Sequence, residues 1–166
     1  KLDEAERIDR EAAESTAAFL ASKGIVAAAY HAGMTAEERA STQEKFSRDD
    51  LEVVCATIAF GMGIDKSNVR YILHRDMPRS IEGYYQEIGR AGRDGASADC
   101  VLFYSWADVM SLDRLLEGSQ DSAVAEQQRR AVRRMFDLAD TTTCSWQPLV
   151  GYFAESMAEC GDSCGH

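Results

Sequence analysis

Apolar positions recur at helical spacing from near the start of the chain. Ala5, Ile8, Ala12, Phe19 and Leu20 fall on one side of a helix with Thr16 among them, and Gly24 fits as the stop. The period then shortens. Residues 25–30 form a brief apolar run suited to a strand, and Thr35-x-x-Glu38 is a capping box that opens a second helix through about Phe46. Arg48-Asp49-Asp50 turns the chain into a β-branched run over 51–57, and a glycine-rich loop over 60–68 leads to a third strand at 69–74. Ser80 caps a helix reaching Ile88, and 98–104 reads as a fourth strand. Strand and helix alternating over short connections predict an α/β fold, a parallel sheet covered by helices on both faces. After Tyr104 the pattern changes. Ser105-x-x-Asp108 opens a run of two or three helices with a break at Gly118-Ser119, and Val124, Val132, Met135, Phe136 and Leu138 keep helical spacing. The predicted organisation is an α/β domain over 1–105 and a small helical domain over 106–166, without repeats or low-complexity segments.

Composition narrows the setting. With 166 residues, 45% of them hydrophobic, the chain can bury a core without disulfides. No run approaches the roughly 20 apolar residues that span a bilayer, and no basic leader precedes an apolar stretch. Five cysteines are an odd number, unsuited to a closed disulfide framework, so a reducing cytoplasm or nucleus is expected. Cys55 and Cys100 lie in strand-like runs and are expected to be inert core thiols. The net charge of −10 argues against indiscriminate adhesion to nucleic acid and leaves room only for a local groove with few phosphate contacts. Arg129, Arg130, Arg133 and Arg134 line one side of a helix, where a solvated face paired with acids competes with a DNA contact. The first residue is a lysine inside a charged helix-like stretch, so a fragment of a longer protein is expected.

The richest chemistry lies in Tyr84-Tyr85-Gln86-Glu87-Ile88-Gly89-Arg90-Ala91-Gly92-Arg93-Asp94-Gly95. Two guanidinium groups on a glycine-flanked turn suit a phosphate whose negative charge is growing, because each keeps its charge and offers a planar fork of donors. The competing reading is a surface turn in which Glu87 and Asp94 neutralise the arginines. Tyr84 and Tyr85 are expected to pack rather than to stack on a ligand. No GxxxxGK[ST] loop occurs in the sequence, so the nucleotide would be held by something else.

Gln86-x-x-Gly89-Arg90-x-x-Arg93 resembles the last helicase motif of superfamily 2, and the longer string HRDMPRSIEGYYQEIGRAGRDG, from His74 to Gly95, resembles RecQ-type DNA helicases. Tyr30-His31-Ala32-Gly33-Met34 and the run from Ala56 to Lys66, ATIAFGMGIDK, resemble two further motifs of that family in the family's order. The resemblance implies a second RecA-like lobe followed by the helical zinc-binding subdomain. It implies a part of an ATP-dependent 3′–5′ DNA helicase of repair and recombination, whose preceding lobe holds ATP with Mg²⁺. Charged residues 1–11 stand where the family opens this lobe with an apolar strand, so a sheet lacking one strand is expected. By resemblance Arg90 and Arg93 are arginine fingers and Gln86 links the motif to the nucleotide or the neighbouring lobe. Gly63 and Asp65 face the nucleotide ribose or the network between lobes, and His31, Gly33 and Thr57 contact the phosphates of single-stranded or forked DNA. The rival reading is a non-catalytic nucleic-acid or protein-binding module that kept the fold.

Cys144 followed by Cys160-Gly-Asp-Ser-Cys164 resembles three of the family's four zinc cysteines. A structural zinc site takes four soft or nitrogen ligands. Either the fourth lies beyond His166 or His166 itself substitutes. The single residue between Cys164 and His166 is tight for two ligands of one ion, which favours the first alternative.

Overall fold

The computed structural model describes residues 2–57, 66–117 and 121–161. Its contacts group the chain into two compact units, Lys1–Lys66 and Ser67–His166.

The first unit begins with helix α1 (Leu2–Ser22), which runs through the charged stretch where the family's opening strand would stand. Strand β1 (Ala27–Tyr30), helix α2 (Ala36–Ser47) and strand β2 (Val53–Ala56) follow. Both parts of the capping box form: Glu38 N–H donates to the Thr35 hydroxyl at 3.2 Å and Thr35 N–H to the Glu38 carboxylate at 2.8 Å. These bonds, Thr35's first among them, hold the Glu38 carboxyl below its usual range. Strands β1 and β2 pair in parallel, with Ala27 opposite Val53 and Tyr30 opposite Ala56. The helix face differs from the one read off the spacing. Ala13 and Ala17 are buried, whereas Ile8 and Phe19 remain exposed. Close approach of a helix to a sheet favours the small alanine side chains, so the bulky residues end up flanking the contact rather than filling it.

Lys66 closes this unit. Its ammonium is buried, donating to Phe46 O at 2.8 Å and to Asp49 Oδ1 at 2.5 Å, and it sits 4.9 Å from the centre of the Phe46 ring. The cation thus satisfies a carbonyl at the negative end of α2. Lys66→Met keeps the stem but removes these bonds and is expected to cost about 1–3 kcal/mol of stability. Urea unfolding of wild type and variant measures it directly.

The second unit contains β3 (Tyr71–His74), α3 (Ile81–Ile88), β4 (Asp99–Leu102), α4 (Trp106–Leu116), α5 (Ser122–Ala139) and α6 (Trp146–Tyr152). Strands β3 and β4 pair in parallel, Tyr71 opposite Asp99 and His74 opposite Leu102. Ser80 caps α3 through Gly83 N–H, Ser105 and Asp108 form the box that opens α4, and Asp121 accepts from two amides at the start of α5. The break read at Gly118-Ser119 lies outside the described residues.

One cluster holds this unit together: Met77, Ile81 and Ile88 pack with Val109, Leu112, Val132, Met135, Leu138 and Leu149. The core therefore runs across position 105 and joins α3 to the helices that follow. Tyr84 and Phe136 pack against it. Cys100, expected in a core, is exposed on β4, and Cys55 is half-buried on β2. Burial pushes the Cys55 thiol up, which keeps it protonated and unreactive. Among the described residues no helix is long and apolar enough to cross a membrane.

Candidate functional site

Helix α3 delivers the arginine turn. Gly89 caps the helix, its N–H bonding Tyr85 O at 3.0 Å, and Arg90 N–H bonds Glu87 O at 3.2 Å. The chain then bends back through Gly92, which has φ +60. A side chain there would begin 2.7 Å from Ala96 O, so both the handedness and the space require glycine. Gly92 N–H bonds Val69 O at 3.0 Å and Asp94 N–H bonds Ser67 O at 3.2 Å, which ties the turn to the segment leading into β3.

The acids beside the arginines have other partners. Glu87 Oε2 lies 2.8 Å from Nε2 of the half-buried His74. Asp94 takes both arms of Arg70 and also accepts from Ala96 N–H at 3.1 Å. The Arg70 guanidinium, first of all, holds the Asp94 carboxyl below the usual carboxylate range, and Asp94 in return raises Arg70. Arg90 is half-buried and forms no ion pair among the described residues. Arg93 is exposed and donates from Nε to Gly89 O at 3.1 Å, a bond that folds its stem along the turn. Gln86 is exposed on the last full turn of α3. Tyr85 packs against Phe153 with ring centres 4.8 Å apart, and Tyr84 lies 5.3 Å from the His74 ring, both packing roles as expected. Sequence reading did not find the His74–Glu87 and Arg70–Asp94 pairs, because each joins residues far apart in the chain with no motif to mark them.

The strand ends of the first unit hold the other candidates. Tyr30 and Ala56 are register partners, so His31 and Thr57 leave the paired strands side by side at their carboxyl ends, where open parallel sheets bind ligands. Thr57 N–H donates to Tyr30 O at 3.1 Å and extends the ladder by one bond. His31 is buried and its Nε2 lies 3.0 Å from Glu14 Oε1, a partner on α1 that the sequence did not suggest. Gly33 lies two residues after His31, before the Thr35 cap. Gly63 and Asp65 lie outside the described residues.

The cysteines meet in the second unit. Cys144, between α5 and α6, and Cys160, after α6, place their sulfurs 3.2 Å apart. That exceeds the roughly 2.05 Å of a disulfide, so the two are separate thiols lying side by side. Adjacent soft sulfur donors fit half of a zinc site. Cys164 and His166 lie outside the described residues, and among the described residues no group of three or more ligating side chains gathers. Three of the four arginines in the α5 row are paired with acids: Arg129 and Arg133 reach Asp113 at 3.4 Å, and Arg130 reaches Glu126 at 3.7 Å.

Comparison with known proteins agrees with this geometry. Residues 5–95 match the helicase conserved C-terminal domain, and residues 106–166 match the RecQ zinc-binding family. The ATP-dependent DNA helicase RecQ of Haemophilus influenzae is 47% identical over 146 residues, covering 88% of this chain and 24% of that protein. RecQ of Bacillus subtilis is 42% identical over 142 residues, covering 86% of this chain and again 24% of the relative. The RecQ-like DNA helicase BLM of Xenopus laevis is 41% identical, covering 90% of this chain and 11% of that protein. The chain thus spans about a quarter of the length of its bacterial relatives. Among solved structures, the C-terminal domain of the DEAD-box protein Dbp5 aligns with a TM-score of 0.53 at 19% identity, over 75% of this chain and 77% of that one. The E. coli DEAD-box protein SrmB aligns at 0.51 and 24% identity, over 68% and 66%; at these identities the likeness is one of fold, that of a RecA-like helicase lobe. Motifs, fold and relatives converge: the chain belongs to the helicase conserved C-terminal domain family and is the C-terminal helicase region of the RecQ family, followed by a RecQ zinc-binding segment.

Proposed function

We propose that this chain is the second lobe of an ATP-dependent 3′–5′ DNA helicase, supplying charge to a nucleotide held by a first lobe and phosphate contacts to single-stranded or forked DNA. The functional division is at 105/106, the helicase lobe before it and the zinc-binding segment after it. Arg90 and Arg93 are the arginine fingers, Gln86 links their turn to the nucleotide, and Gly63 and Asp65 complete the nucleotide side. ATP with Mg²⁺ supplies the phosphoryl group whose transfer drives stepping. The residues of this chain stabilise the charge that grows during that transfer, position DNA phosphates at His31, Gly33 and Thr57, and hold zinc through Cys144 and Cys160 with Cys164 and His166 as further candidates. The observation that carries the reading is the occupation of Glu87 by His74 and of Asp94 by Arg70, since among the described residues it leaves the Arg90 charge without an ion pair on a glycine-bounded turn. The parent works wherever cellular DNA lies, the bacterial nucleoid or the nucleus. DNA-stimulated ATPase and unwinding by the full-length parent test this reading; absence of both would leave a binding module instead.

The DNA contacts carry their own expected outcome. They go to phosphates, so His31→Ala and Thr57→Ala in the parent are expected to weaken single-strand binding several-fold and equally on unrelated sequences. Wild-type affinity is expected to fall as salt rises, through counterion release. Fluorescence anisotropy on two unrelated oligonucleotides across a salt series measures both, and losses confined to one sequence would count against phosphate contacts.

A further inference from the structure

The junction between β4 and α4 leaves an aromatic corner in water. Tyr104 and Trp106 flank the Ser105 cap, and both meet Phe136 of α5 edge to face, with ring centres 5.7 Å and 5.0 Å away. Phe136 rests on the core of the unit, whereas Trp106 is 50% exposed and Tyr104 39%. Met110, one turn further along α4 on the Trp106 face, is exposed as well. Aromatic rings held by packing yet left wet are common anchors of binding surfaces.

The charge around this corner is negative. Tyr104 donates its hydroxyl to Asp140 Oδ1 at 3.2 Å, and that neutral donor leaves the carboxylate its charge. Asp140 closes the C-terminal end of α5, its N–H bonding Phe136 O at 2.8 Å, and Asp137 adds a second exposed carboxylate on the last turn. The carbonyl end of a helix already carries about half a negative charge, and the last turn of α5 holds no basic residue to offset it. The arginines one turn earlier point elsewhere: Arg133 reaches Asp113 on α4, and Arg134 lies by Glu82 and Tyr152. Asp108 on α4 is committed to the Ser105 N–H at 2.7 Å. Among the described residues Asp137 forms no ion pair, and the cations lying over rings are Lys23 on Phe19 and Lys66 on Phe46, both in the first unit.

We propose that this corner is a docking surface for a basic peptide of a partner protein, taking an arginine side chain against the Trp106 ring with Asp137 and Asp140 as its counter-charges. The chemistry selects the occupant. An aromatic face attracts a cation within about 6 Å of its centre, tryptophan most strongly. A guanidinium stacks on such a face while its donors fork to a carboxylate, which an ammonium does less well. Met110 offers apolar surface to the stem of the incoming side chain. The same charge turns other occupants away. A phosphate would meet two carboxylates and a helix C-terminus, and a second copy of this chain brings a net charge of −10. The surface uses none of the residues assigned to the nucleotide or to DNA, so it adds an association to the lobe without competing for either.

Fluorescence anisotropy with the full-length parent and a short labelled peptide of arginine, glycine and serine tests the assignment. The arginine peptide is expected to bind a few-fold more tightly than its lysine counterpart, and a glutamate counterpart not to bind. Trp106→Ala is expected to weaken arginine-peptide binding about tenfold without changing any charge. Asp137→Asn together with Asp140→Asn is expected to weaken it similarly and to flatten its dependence on salt. Asp9→Asn, which removes an exposed acid from the first unit, is expected to change neither. DNA-stimulated ATPase is expected to stay at the wild-type level in Trp106→Ala, which separates this surface from the helicase reading. Equal binding by Trp106→Ala and wild type would mean attraction to net charge alone and overturn the proposal, as would equal binding of the arginine and glutamate peptides. If Trp106→Ala changes the sedimentation of the parent while peptide binding is intact, the face joins copies of the chain and the proposal is again overturned. Should Trp106→Ala melt before it can be assayed, the exposed Asp137→Asn, Asp140→Asn pair decides, and wild-type peptide binding by that variant overturns the assignment.

Discussion

Arg90→Ala in the full-length parent is expected to lower DNA-stimulated ATP turnover by about a thousandfold or more while leaving ATP affinity within a few-fold of wild type. Arginine fingers act on charge that appears only as the phosphoryl group transfers, and elsewhere they contribute about 10³–10⁵ in rate. The geometry here favours a large effect. Arg90 follows the capped end of α3 directly, its neighbouring acids are bonded to His74 and Arg70, and the bend behind it admits only glycine at position 92. A guanidinium so placed needs little rearrangement to meet its target, which is where electrostatic stabilisation is greatest. Arg93→Ala is expected to be similarly damaging. Steady-state kcat together with nucleotide affinity separates loss of catalysis from loss of binding, and near-normal kcat in both variants would remove the finger assignment.

Local signals in the sequence carried further than its long-range ones. The capping residues Thr35, Ser80 and Ser105 all start helices where expected, because capping is settled within four residues. The four strand-like runs all contain strands, each shorter than its apolar run because the parallel ladders pair only four residues of each. The buried stripe of α1 was misjudged: apolarity pointed to Ile8 and Phe19, whereas close packing selected Ala13 and Ala17. Resemblance to the family's zinc cysteines grouped Cys144 with Cys160, and their sulfurs lie 3.2 Å apart. Nothing local could show that Glu87 belongs to His74 or that Asp94 belongs to Arg70. Those pairings depend on how strands and helices are juxtaposed, and a residue pattern does not encode them.

Zinc is expected to decide the order of the chain after α5. In the parent, Cys144→Ser or Cys160→Ser is expected to lower bound zinc from one ion per chain to nearly none and to raise hydrogen exchange sharply between Asp140 and Gly161. The energetics favour so large a response. Structural zinc contributes about 10–16 kcal/mol of apparent binding energy in small modules. Other contacts of this stretch among the described residues include the seven-residue α6, the buried Leu149, the Tyr85–Phe153 ring contact and a 2.5 Å hydrogen bond from Tyr152 to Glu82. That last bond, the first cause of the lowered Glu82 carboxyl, is exposed and adds little. Protection of the first unit is expected to stay unchanged, since the core residues Ala13, Ala17, Tyr30, Phe46 and Leu51 include no cysteine. Elemental analysis and exchange mass spectrometry check the two halves of this expectation, and full zinc occupancy in both serine variants would show that other residues bind the ion.

Helix α3 is only eight residues long, yet both ends of this chemistry are attached to it. Glu82 and Tyr85 hold Tyr152 and Phe153 from the zinc-binding segment, and the same helix runs out at Gly89 into the arginine turn. Little more than two turns of backbone separate the two attachments, without a proline or a kink to absorb motion between them. A helix that short transmits displacement as a rigid rod. On the zinc and finger readings proposed above, α6 and the arginine turn share this one short helix, so the metal and the nucleotide would bear on each other through eight residues of backbone.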